Sequence, residues 1–103
     1  MKYFALMFVI DLHYIVPLEE LDRHMNDHVK FLKEYYKKNV FIASGRKVPR
    51  TGGIILALAD SKEQIQSIMD EDPFCKLKLA QVTITEFNTS QTHPEFKKIL
   101  DLK

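Results

Sequence analysis

The 103-residue sequence predicts one α+β domain, an antiparallel four-stranded sheet with two helices on one face. Three observations predict it. Residues 2–10 and 54–59 are apolar on both parities, which marks strands covered on both sides. Between them lies a long stretch with helical apolar spacing, and a second helix start follows at Ser61. The elements then run β-α-β-β-α-β, with a tail after the fourth strand.

In the first strand Tyr3, Ala5, Met7 and Val9 form one face, and Phe4, Leu6, Phe8 and Ile10 the other. Residues 11–17 read as a connection, with Pro17 placed to open a helix. One amphipathic helix is predicted over 18–39. Its stripe is Leu21, Met25, His28, Leu32 and Tyr35, with Glu19, Glu20 and Asp22 in the first turn and Lys37 and Lys38 in the last, as the helix dipole favours. Asn39, which tolerates a left-handed conformation, is the expected stop. Residues 40–43 read as the second strand, 44–53 as a basic turn carrying Arg46, Lys47 and Arg50, and 54–59 as the third strand. Ser61 with Gln64 signals the N-terminus of the second helix, which buries Ile65, Ile68 and Met69. Asp72–Pro73 opens a short turn or helix through about Lys78, and residues 80–87 form the fourth strand. Residues 1–88 are read as the domain and 89–103 as a C-terminal tail that can form a short helix on Phe96, Ile99 and Leu100.

This order is that of a ferredoxin-like βαββαβ unit, in which the first and third strands are central. Two helices cover only one side of such a sheet, yet both central strands are apolar on two sides. A second copy of the chain, sheet against sheet, is the simplest cover, so a homodimer in the form of a dimeric α+β barrel is expected.

Composition narrows function. A net charge of +1 lacks the basic excess that neutralises phosphates, so no nucleic-acid partner is expected. No stretch is long enough to span a bilayer, and the apolar start lacks a cleavage site, so neither a membrane segment nor a secretory leader is expected. The single cysteine, Cys75, cannot form an internal disulfide, which suits a cytoplasmic setting. No Gly-rich phosphate loop is present and the four histidines lack metal-ligand spacing, so neither a cofactor nor a metal is expected.

His28 is the most informative residue. It falls on the apolar stripe, where it is either a buried histidine bonded to a backbone carbonyl or a general acid or base, since imidazole titrates near neutral pH. His24 reads as solvent-facing, His13 as a loop residue and His93 as part of the tail. Asp72 before Pro73 is a natural helix N-cap; beside an imidazole it would instead fix the tautomer. Arg46, Lys47 and Arg50 read either as solvated surface or, overhanging a cleft, as a holder for a carboxylate or phenolate.

His28-Val-Lys-Phe-Leu32, Ile42-Ala-Ser-Gly45, the Gly53 strand, Asp72-Pro-Phe74 and Val82-Thr-Ile-Thr-Glu-Phe87 together resemble the YCII-related (YciI-like) family in order and spacing, over most of the chain up to Phe87. The resemblance implies a dimeric α+β barrel with a His–Asp active-site pair, here His28 and Asp72. It also implies kinship with proteins that act on small ring compounds by isomerisation, halide elimination or cofactor-free oxygenation. The chain departs from the family pattern at Arg46, where proline is usual, and at Asn39, where glycine is usual. The leading expectation is a small-molecule enzyme of lyase or isomerase type. In it His28 exchanges a proton with a polar ring compound, Asp72 orients His28, and Ser44, Gly45 and Arg46 bind substituents. A non-catalytic metabolite-binding or sensor module is the alternative. A purely structural role would require a closed centre with no cavity beside His28.

Overall fold

The computed structural model describes residues 5–101; the expected strand residues Lys2, Tyr3 and Phe4 and the tail residue Leu102 lie outside them. The fold is α+β, with one four-stranded antiparallel sheet in the order β2-β3-β1-β4 and helices packed on it. Its strands are β1 (Ala5–Tyr14), β2 (Phe41–Arg46), β3 (Gly52–Leu58) and β4 (Ala80–Thr89). Its helices are α1 (Leu18–Arg23), α2 (Met25–Lys37), α3 (Lys62–Met69), α4 (Pro73–Lys76) and α5 (Lys97–Leu100).

Every strand is longer than, or shifted from, its expected span, and the cause is pairing. β1 runs on to Tyr14 because His13 pairs with Gly52 and Tyr14 with Ala80. His13 is therefore a strand residue, contrary to the loop expected, and is exposed at the end of the ladder. Asp11 and His13 alternate with Leu12 and Tyr14, a period-two pattern that continues the strand through polar positions. Ser44, Gly45 and Arg46 likewise belong to β2, paired with Ile55, Ile54 and Gly53, so the basic turn shrinks to the residues between the strands. Gly52 opens β3 against β1, where a Cβ would lie 1.8 Å from the Leu12 carbonyl oxygen, so no side chain fits.

The expected single helix over 18–39 is two. His24 leaves helical geometry (φ −111°, ψ 9°), and its N–H closes α1 on the Leu21 carbonyl at 3.0 Å. Leu21 is fully buried before the break, and α2 restarts with its own buried row of His28, Phe31 and Tyr35. Asn39 ends α2 at φ 60°, with Val40 N–H on the Tyr35 carbonyl and Asn39 N–H on that of Tyr36, a Schellman close. Lys78 (φ 60°) closes α4 in the same way through Phe74 and Cys75. Ser61 caps α3 by accepting the Gln64 N–H at 3.2 Å, while Gln64 Oε1 accepts the Asp60 N–H at 3.0 Å.

The main core lies between the helices and one sheet face, around Phe8, Ile10, Leu12, Ile55, Phe41 and Phe74. On the opposite face Met7 and Leu58 are buried with Leu100, and Ile42, Phe96 and Ile99 pack against them. The chain's own tail thus covers one end of the face that the sequence assigned wholly to a second copy. Val9, Ile54 and Leu56 on that face remain half-buried, and Phe87 is 42% exposed.

Candidate functional site

The site forms where α2 passes over the start of α4. His28 lies on the second turn of α2, on the side facing the sheet, and its Nδ1 is 2.6 Å from Asp72 Oδ1. His28 is 9% exposed and Asp72 fully buried. Asp72 occupies the N-cap position of α4, yet its side chain makes no capping bond. One carboxylate oxygen goes to His28 and the other accepts the Cys75 thiol at 3.6 Å. A carboxylate buried this fully loses its hydration and persists only when compensated; here an imidazole edge does most of that.

The Asp72-Pro73-Phe74 spacing has a physical reading. Pro73, at the first helical position of α4, turns the chain so that residues 72 and 74 both meet the imidazole. Phe74 stacks on the His28 ring with centroids 4.1 Å apart and planes within 7°. Tyr14 in turn meets Phe74 edge-on at 5.9 Å. The ring is fixed at one edge and on one face, and Nε2 is the nitrogen left for a ligand.

His28 also lines a cavity of about 250 Å³ between α2 and the sheet. Leu12 and Tyr14 of β1, Met25, Val29 and Leu32 of α2, and Ile55 of β3 supply most of its wall. Ser44, Gly45 and Arg46 line the same cavity, on the β2 side. The geometry therefore brings His28, Ser44, Gly45 and Arg46 around one space, with Asp72 behind His28. A second, more open groove of about 720 Å³ runs between α3 and β4 past Lys62, Gln66 and Cys75. It is larger but holds neither His28 nor Asp72, so chemistry favours the smaller space. A site of this kind is mostly apolar with a few convergent polar groups.

Several residues had no clear signal in the sequence. Tyr35, two turns beyond His28, donates its hydroxyl to Glu71 (2.8 and 2.9 Å to the two oxygens), so the residue before Asp72 is tied to the same helix. Burial, with the Glu71 carboxylate second, pushes the Tyr35 hydroxyl up to about 12. Burial and the adjacent Asp72 likewise push the Cys75 thiol up to about 12, so it stays protonated. Tyr36 shares a hydrogen bond with Ser44 Oγ at 2.6 Å. Met25, Val29, Leu32 and Tyr36 form a second apolar row beside the buried one, a three-and-four spacing that could have marked the cavity wall. Among the other histidines, His24 sits at the α1–α2 junction, and His93 opens the 3₁₀ turn Pro94–Phe96 by accepting the Glu95 N–H. Among the described residues no group of three or more His, Cys, Asp or Glu is placed to hold a metal ion. Among them, too, no helix is long and apolar enough to cross a membrane.

Comparison with known proteins adds three findings. The family profile described as YCII-related domain matches residues 1–88. No curated protein matches the chain. Among solved structures, the chain is similar to 5-chloro-2-hydroxyhydroquinone dehydrochlorinase from Burkholderia phenoliruptrix AC1100, determined in complex with 2,5-dihydroxybenzoquinone. That likeness has a TM-score of 0.64 at 18% identity, over 86% of this chain and 96% of the other. At that identity it establishes a shared fold.

Proposed function

The chain belongs to the YCII-related domain family, and from that premise we propose that it is a small-molecule enzyme whose acid/base group is His28. Asp72 holds the ring with Nδ1–H toward it, leaving Nε2 to meet the ligand in the cavity. Nε2 takes a proton from a ring hydroxyl or carbon of a small polar ring compound. Returning that proton at another atom gives isomerisation; loss of an anionic leaving group from the neighbouring carbon gives elimination. As the proton arrives, the positive ring faces the negative Asp72 carboxylate. Ser44, Gly45 and Arg46 contact substituents of the ring. Neither reaction passes electrons to an acceptor, so the reading invokes no cofactor.

The observation that carries this reading is the Asp72 carboxylate, buried without capping its helix and joined to an imidazole that borders a cavity. The dehydrochlorinase of the same fold, which carries a quinone, supports the choice of ring compounds and of lyase chemistry.

The proposed assembly is a homodimer of ferredoxin-like units, sheet to sheet, working in the cytoplasm with Cys75 reduced. The strand order with β1 and β3 central and the half-buried Val9, Ile54 and Leu56 beside exposed Phe87 support it. Sedimentation of the purified chain at micromolar concentration is expected to give twice the chain mass; a monomer would remove this part of the reading.

The functional test is a screen of hydroxylated and chlorinated ring compounds for turnover, with His28→Ala and the shape-preserving His28→Gln as paired controls. Turnover lost in both variants is expected. Ligand binding without product in the wild type, unchanged in His28→Gln, would instead make the domain a metabolite-binding module.

A further inference from the structure

The three cations at and after the end of β2 do different jobs. Lys47 is paired with Asp11. Arg50 is paired with Asp22 at 2.7 Å, and its guanidinium is largely covered. Arg46 has no ion-pair or hydrogen-bond partner among the described residues. The acid whose carboxyl feels its charge is Asp22, which is held below the usual carboxylate range chiefly by its hydrogen bond from Arg50 and is thereby already committed. Of the three, only Arg46 lines the cavity with His28.

Among the described residues no carboxylate lines the cavity to answer that charge. Asp72 stands behind His28 and does not line it. Besides His28, the remaining wall is apolar side chains with two hydroxyls, that of Ser44, engaged with Tyr36, and that of Tyr14, engaged with Arg50. A guanidinium offers a planar fork of donors that fits a carboxylate through two parallel hydrogen bonds.

We propose that Arg46 anchors an anionic substituent of the ligand, so that the cavity selects singly charged ring acids over neutral rings of the same shape. This rests on the ring-compound reading above and deepens it. The ligand's charge is held on β2 while its reacting atom meets Nε2 of His28 on α2. Arg46 is then the residue that sets substrate class, and its contact needs no rearrangement of the two pairs that occupy Lys47 and Arg50.

The test uses two probes matched in shape, 2,5-dihydroxybenzoate and 2,5-dihydroxybenzamide, titrated by calorimetry and by NMR into the wild type, Arg46→Gln and Arg46→Lys. The wild type is expected to bind the acid about tenfold or more tighter than the amide, the range of a charge-assisted hydrogen bond. Arg46→Gln should bring the ratio to about one by weakening the acid alone, and Arg46→Lys should keep part of it, as a point charge does. The acid's advantage in the wild type should shrink as salt rises. An unchanged preference in Arg46→Gln, or equal binding of both probes by the wild type, overturns the role of Arg46 and leaves the ring-compound reading standing. If neither probe binds or shifts the His28 resonances, the ring-compound reading fails, and the anchor with it. Arg46 is exposed at the rim, so equal melting temperatures across the three proteins are expected.

Discussion

Two bridges join α2 to the segment before α4, and they differ in kind. His28–Asp72 is sealed, with side chains 11% and 0% exposed. Tyr35–Glu71 lies seven residues along the helix and one along the segment, and ends on an exposed carboxylate. If the outer bridge breaks, Glu71 returns to water at small cost. If the inner one breaks, a buried polar group is stranded. As a device for stability the inner pair is a poor choice, because well-packed apolar residues in place of a buried ion pair are often neutral or better. A costly pair beside a cavity and a cheap pair away from it form the arrangement that the proposed chemistry at His28 calls for.

The largest expected effect that separates them is on turnover. With a substrate in hand, Asp72→Asn keeps the shape but not the charge, and is expected to lower kcat/KM by about 10²–10⁴-fold. Glu71→Gln should change it by less than about tenfold. Equal losses would break the distinction.

Stability comes next. His28→Ala strands a buried carboxylate and is expected to cost about 3–5 kcal/mol in denaturant melts. Asp72→Ala strands only a ring N–H, at about 1–3 kcal/mol, and Tyr35→Phe should cost about 1 kcal/mol. The double replacement His28→Phe/Asp72→Leu should recover most of the His28→Ala loss. If it does not, the pair matters to the fold itself.

Alkaline titration sharpens the outer bridge. The Tyr35 hydroxyl rises from 10 in the unfolded chain to about 12 in the fold, chiefly by burial. A raised value contributes stability that is whole below pH 10 and lost as pH climbs through 12. Tyr35→Phe should remove that loss, read as a flatter stability curve across this window. The smallest effect is chemical. Cys75, held protonated by burial and by Asp72, should react with iodoacetamide at pH 8.5 far more slowly in the native protein than in urea. Asp72→Asn should narrow that gap.

What the sequence shows about this molecule follows the range of the interactions involved. Local signals read well: Ser61 with Gln64 starts α3, Asn39 stops α2, and the apolar parity of 54–58 lies within β3. His28 and Asp72 stood out as residue types in the right setting, but their meeting depends on residues 44 apart in the chain. Strand ends are not legible in the sequence because a ladder continues as far as its neighbours do, which carries His13 and Ser44–Arg46 into the sheet. The break at His24 has no Gly or Pro to announce it. Phe31, absent from the expected stripe, is 6% exposed, while Leu32, included in it, lines the cavity. A stripe read at three-and-four spacing cannot separate a core row from the adjoining wall of a hollow.

Leu100, seated between Met7 and Leu58, works as a stopper on one corner of the outer sheet face. It comes from beyond the part of the chain shared with the family. Two copies stacking there would have to slide past each other's stopper before their bare strands met. The last helical turn would then dictate the offset of the stack, and shortening the chain by a dozen residues would alter alignment sooner than affinity.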